Sequence, residues 1–142
     1  MIINGPSLNM LGQREVDIYG KKTYQDLENT LKDYAKEQGL TLSIYQSNYE
    51  GIIIDLLQLA HQESFDAVLL NAGAFTHYSY ALYDAIKSIH PKVIEVHLTD
   101  PLLREETFRH HSVIEKACQK TFKGLGFMSY IKALEYVKKE LK

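Results

Sequence analysis

The sequence predicts an α/β fold, a doubly wound parallel sheet of five strands with helices on both faces, in a single domain over residues 1–142. Short apolar runs alternate with longer stretches whose apolar residues recur at helical spacing. Strands alternating with helices argue for parallel βαβ units, whose right-handed crossovers cover both sheet faces. No low-complexity tract, Pro/Gly linker or internal repeat interrupts the alternation. Five strands in this length suit a flavodoxin-like domain better than a full dinucleotide-binding fold.

Ile2-Ile3 opens the first strand. Thr23 with Asp26 three residues on resembles a capping box, and Leu27, Leu31, Tyr34 and Ala35 then share one helical face until Gly39 stops it. Lys32, Asp33, Lys36 and Glu37 are left to water. Leu40 to Tyr45 reads as the second strand. The second helix spans about Glu50 to Gln62 through Ile53, Ile54, Leu57 and Ala60. Ala67 to Leu70 is the third strand, and a third helix runs from about His77 to Ser88, with Pro91 preventing much extension. Val93 to Val96 is the fourth strand. A fifth, weakest by pattern, lies near Lys120 to Lys123. From Met128 onward Ile131, Leu134, Val137 and Leu141 form an apolar stripe opposite Lys132, Glu135, Lys138 and Lys139.

The composition narrows the function. A chain of 142 residues buries roughly 68–70% of its unfolded surface, so no disulfide staple is needed. Sixteen basic residues against eighteen acidic ones leave no excess to neutralise a phosphate backbone, which argues against nucleic acid as a partner. No apolar run approaches membrane-spanning length. The opening Met1-Ile2-Ile3-Asn4-Gly5 enters a strand pattern directly, and Cys118 is the single cysteine; both point to the cytoplasm. Thirteen of the basic residues are lysine and only three are arginine, and there are ten tyrosines but no tryptophan.

In a doubly wound sheet, ligands bind beyond the carboxyl ends of the strands. Four runs end in polar clusters: Asn4-Gly5-Pro6-Ser7-Leu8-Asn9, Gln46-Ser47-Asn48-Tyr49-Glu50-Gly51, Asn71-Ala72-Gly73-Ala74-Phe75-Thr76-His77 and His97-Leu98-Thr99-Asp100. Each alone reads as ordinary turn and cap chemistry. Together, at one end of one sheet, they mark a site. The first connection is long for a strand-to-helix loop and reads as a lid over about residues 7–22, holding Arg14 and Tyr19, with Gly12 and Gly20 as possible hinges. No Gly-x-Gly-x-x-Gly, Walker or Gly-x-Ser-x-Gly pattern occurs, and the histidines and carboxylates lack zinc spacing. Cys118 reads as a buried structural thiol.

These motifs, with Arg14, Glu15, Tyr19-Gly20, Glu95-Val96-His97 and Gly124-Leu125-Gly126, resemble type II 3-dehydroquinate dehydratase, in order and over nearly the whole chain. The resemblance implies a flavodoxin-like single catalytic domain that forms trimers and commonly a dodecamer of four trimers. It implies reversible anti elimination of water from 3-dehydroquinate to 3-dehydroshikimate through an enolate, with no metal and no organic cofactor. By position, Tyr19 is the implied base. Arg14 would favour its tyrosinate, and His97 would protonate the departing hydroxyl. Asn71, Thr99 and the Leu98 backbone would hold the substrate carboxylate, and His77 and Arg109 the ring hydroxyls. Asp84, seven positions after His77 on the same helix face, would reach a neighbouring subunit's site.

The physics of the base assignment is reasonable. A tyrosine of ordinary pKa near 10 is ionised about one part in a thousand at pH 7, a handicap of roughly 4 kcal/mol. A guanidinium about 4 Å away contributes about as much at an effective dielectric of 20. The chain departs from the family pattern at Ser7, where Asn is usual, and at Thr107, the simplest one-residue insertion. That insertion leaves Arg104 as an alternative to Arg109, which is preferred because Phe108-Arg109-His110-His111-Ser112 matches the family's run. The departures also motivate an alternative: a paralogue that binds a related cyclic hydroxy-acid, or an oligomeric interaction protein.

Overall fold

The computed structural model describes residues 1–140, so Leu141 of the predicted apolar stripe lies outside the described residues. Five parallel strands form one sheet: β1 (Ile2–Asn4), β2 (Ile44–Gln46), β3 (Ala67–Asn71), β4 (Lys92–Val96) and β5 (Lys120–Phe122), in the order β2-β1-β3-β4-β5. The direction of winding reverses between β1 and β3, and there Asn4 pairs in register with Asn71. Such a reversal leaves a crevice at the carboxyl ends of the strands.

Helices α1 (Val16–Tyr19), α2 (Tyr24–Gln38), α3 (Glu50–Gln62), α4 (Tyr80–Lys87) and α5 (Met128–Glu140) complete the fold. The alternating residues of the strands divide the core in two. Ile3, Val68, Leu70 and Val93 pack with Ile53 and Leu57 of α3 and Leu82 and Ile86 of α4. Ile2, Leu69, Ile94 and Val96 pack on the other face with Leu27 and Leu31 of α2 and Ile131 and Leu134 of α5. Among the described residues, no helix is long and apolar enough to cross a membrane.

The Thr23 hydroxyl accepts from the Asp26 N–H at 3.1 Å while the Asp26 carboxylate accepts from the Thr23 N–H at 2.8 Å, a reciprocal capping box. The predicted bounds of α3 are met. Two expectations need correction. The second strand does not begin at Leu40: Gly39 takes the left-handed conformation that ends α2, and the Leu40 N–H is held by the Ala35 carbonyl at 2.8 Å. The third helix does not begin at His77. Residues 73–77 form a 3₁₀ turn, and Ser79 caps α4 by accepting from the Leu82 N–H at 3.0 Å, so His77 and Asp84 do not share a helix. The segment read as a lid contains a 3₁₀ turn at Leu8–Met10 and the short helix α1.

Candidate active site

A cavity of about 170 Å³ opens beyond the carboxyl ends of β1, β3 and β4. Three stretches of chain wall it: the lid, the turn after β3, and the segment from His97 to Arg109. Gly12 lets the lid fold back on itself. It sits at φ 82°, and a Cβ there would come within 2.8 Å of the Lys21 carbonyl oxygen. The turn after β3 is pinned to the later segment by the Val113 N–H bonding the Thr76 carbonyl at 2.8 Å.

The cavity is lined by Arg14 and Tyr19 from the lid, Asn71 and His77 from the β3 side, and His97, Leu98, Thr99, Arg104 and Arg109 from beyond β4. Every predicted site residue except Asp84 therefore lines it. Asp84 is exposed on α4 and lies outside this cavity in its own chain.

The two lid residues meet differently from the expectation. The Arg14 guanidinium carbon lies 4.9 Å from the centre of the Tyr19 ring, over its face, and its Nη2 pairs with the Glu15 carboxylate. The group at the Tyr19 hydroxyl is Arg104, whose Nη1 donates to it at 3.0 Å. Partial burial alone would lower the pKa of Arg104. The Tyr19 hydroxyl and the Glu15 and Glu106 carboxylates more than offset this and raise it, keeping the cation charged. Arg109 instead faces Glu106, with Nε 3.3 Å from Oε2, and lies over the Phe108 ring. Its buried Nε has no aligned hydrogen-bond partner. Thr107 is accommodated at the start of an exposed 3₁₀ turn, so both arginines still reach the cavity.

His97 stands on a buried carboxylate. Its Nε2 is 2.7 Å from Glu95 Oε1, which also accepts from the Ser112 hydroxyl at 2.8 Å and the Thr76 hydroxyl at 3.2 Å. Thr121 donates to the other oxygen at 3.3 Å. Burial pushes the Glu95 carboxyl up, but the His97 contact and the hydroxyl donors outweigh it and hold the group below the usual carboxylate range. With Nε2 engaged, Nδ1 of His97 is the nitrogen left for a ligand. His77 is held through Nδ1, 2.8 Å from the His111 carbonyl, and burial lowers its pKa, favouring the neutral ring.

Glu95 was not identified from sequence as a site residue, although a carboxylate inside the apolar run Val93-Ile94-Glu95-Val96 signals a buried partner. Ser7 lines the cavity in the left-handed conformation at φ 66°, its N–H donating to Asn48 Oδ1 at 2.9 Å. Cys118 packs against the core, and burial pushes its thiol far above the usual range, in keeping with an inert structural thiol.

A flavodoxin-like α/β fold whose cavity is lined by a phenol bonded to a guanidinium and by a carboxylate-backed imidazole is equipped for acid–base chemistry on a small polar molecule. The class II dehydroquinase family model matches residues 1–138. The chain is 48% identical over 141 residues to the 3-dehydroquinate dehydratase of Caldicellulosiruptor bescii, covering 99% of this chain and 96% of that one. It is 49% identical over 140 residues to the enzyme of the same name from Bacillus pumilus, covering 99% and 94%. The crystal structure of type II dehydroquinase from Butyrivibrio crossotus superposes with a TM-score of 0.94 at 45% identity, covering 96% of this chain and 94% of that one. The chain belongs to the class II dehydroquinase family.

Proposed function

We propose that this protein is a 3-dehydroquinate dehydratase of type II, a hydro-lyase that converts 3-dehydroquinate reversibly to 3-dehydroshikimate. The observation that carries the reading is the Tyr19 hydroxyl bonded to Arg104 in the same cavity as His97. As the tyrosinate, Tyr19 takes the proton next to the ketone, and the electron pair of that C–H bond moves into an enolate. Arg104 donates to the phenol oxygen and Arg14 lies over the ring, so both favour its anionic form. The enolate collapses to the conjugated enone as the C–O bond breaks, and His97 gives its proton to the departing hydroxyl, which leaves as water. Glu95 holds the imidazole in place and stabilises its protonated form before transfer. The proton on Tyr19 must then return toward His97 to reset the enzyme.

Asn71, Thr99 and the Leu98 N–H hold the substrate carboxylate in this reading, and His77 and Arg109 meet the ring hydroxyls. The place of Arg109 in the cavity wall supports that last role. Asp84 completes a neighbouring subunit's site, within a homo-oligomer built from trimers and assembled as a dodecamer. Asp84 is exposed on α4 and lies outside the cavity of its own chain, which leaves it free to reach another subunit. The enzyme serves the shikimate pathway or quinate breakdown in the cytoplasm, where the free Cys118 stays reduced.

Adding 3-dehydroquinate to the purified protein tests the reading, because the conjugated product absorbs in the ultraviolet. Rising absorbance that survives borohydride treatment in the presence of substrate supports an imine-free dehydratase. An intact fold without turnover overturns it.

A further inference from the structure

A buried chain of amides and phenols lies beneath the cavity at the point where the sheet reverses direction. Asn4 and Asn71 face each other there as register partners at the ends of β1 and β3. Tyr130 reaches between them from α5, and all three side chains are buried. The Tyr130 hydroxyl donates to Asn4 Oδ1 at 2.6 Å, and Asn71 Nδ2 donates to the Tyr130 oxygen at 2.8 Å. Asn4 Nδ2 donates to the Tyr24 oxygen at 3.3 Å.

An amide side chain can in principle be turned end for end, and only its hydrogen-bond partners decide which end is which. One partner here cannot change role. The Gly73 backbone N–H can only donate, and it donates to Asn71 Oδ1 at 3.2 Å. Asn71 Nδ2 must then face Tyr130, the phenol must accept there, and its single proton must go to Asn4 Oδ1. Burial pushes the Tyr130 phenol well above its ordinary range, so that proton stays in place.

We propose that Tyr130 is a positioning residue that, together with the Gly73 N–H, holds the Asn71 amide so that the cavity meets a donor and not an acceptor. Asn71 Nδ2 carries two protons, and Tyr130 takes one. The other is left for a ligand in the cavity that Asn71 lines. The ligand group it suits is an acceptor such as a carboxylate oxygen, and in that identification the proposal rests on the dehydratase reading. Without Tyr130 the amide would keep only the 3.2 Å bond from the Gly73 N–H and would present its donor less often in the orientation the ligand needs.

The test pairs a variant with a measurement on the unaltered protein. Tyr130→Phe removes the acceptor for Asn71 and the donor for Asn4 while keeping the ring. The expected result is a KM for 3-dehydroquinate raised about tenfold with kcat within about threefold. A folded variant with unchanged KM overturns the proposal. Neutron diffraction from deuterated crystals of the unaltered protein reads the same chain without any variant or turnover, so it stands even where Tyr130→Phe does not fold. Deuterium on the Asn71 atom facing Tyr130, with the phenol deuterium toward Asn4, is expected. Deuterium on the Asn71 atom facing Gly73, or the phenol deuterium toward Asn71, overturns the proposal. Absence of turnover by the unaltered protein would instead count against the dehydratase reading and leave the neutron result to judge the relay.

Discussion

Arg104 Nη1 donates to the Tyr19 hydroxyl at 3.0 Å, joining two residues 85 positions apart across the mouth of the cavity. Arg14, only five residues from Tyr19, lies over the ring face instead. The two guanidiniums therefore act on the phenol from different directions. Only Arg104 can direct a proton at the oxygen.

Removing that donor should cost more than removing the cation over the ring. Arg104→Met is expected to lower kcat by about 10- to 10²-fold, the range for losing one hydrogen bond to a charged group, here the tyrosinate base. Arg109→Met should act mainly on KM, since Arg109 faces Glu106 and Phe108 and not Tyr19. Steady-state kinetics on the two variants separate them. Equal kcat losses would contradict the division of roles.

Glu95 links catalysis to acid stability. Its carboxyl is held below the ordinary value of about 4.5 in the folded state, so the charged form is favoured by folding. That stabilisation is fully present above pH 4.5 and is lost as pH falls through the lowered folded value. Urea midpoints measured from pH 7 down to pH 3 should therefore fall more steeply below about 4.5 for the unaltered protein than for Glu95→Gln. The same variant should lose at least about tenfold in kcat at neutral pH, because His97 no longer stands on an anion.

The strands and the cavity were legible because they rest on local pattern. Apolar runs end in Asn4, Asn71 and His97, and the parallel topology brings those ends together. Errors arose where two patterns abut. Leu40 continues an apolar run into β2, yet the Gly39 turn claims its N–H. Ser79 looks like any polar residue in a helical stretch, yet its hydroxyl starts a new helix and detaches His77 from Asp84. Contacts distant in sequence were not legible at all. Arg104 was placed near the site without its partner, and Tyr130 was indistinguishable from other residues of the last helix, because hydrogen bonds spanning 85 and 126 positions leave no local pattern.

The core should respond independently of the chemistry. Leu57 of α3 is fully buried on the face formed with α4, away from the cavity. Leu57→Ala is expected to cost about 2–5 kcal/mol of stability, read as a lowered midpoint of thermal or urea unfolding. At temperatures where the variant remains folded, kcat should match that of the unaltered protein. A large loss of kcat there would mean that the α3 face helps to position the site.

Tyr19→Phe is the most direct test, because it removes one oxygen and keeps the ring that Arg14 covers. The variant should assemble to the same size as the unaltered protein by sedimentation, while turnover of 3-dehydroquinate falls by at least about 10³-fold. Activity near that of the unaltered protein would contradict Tyr19 as the base.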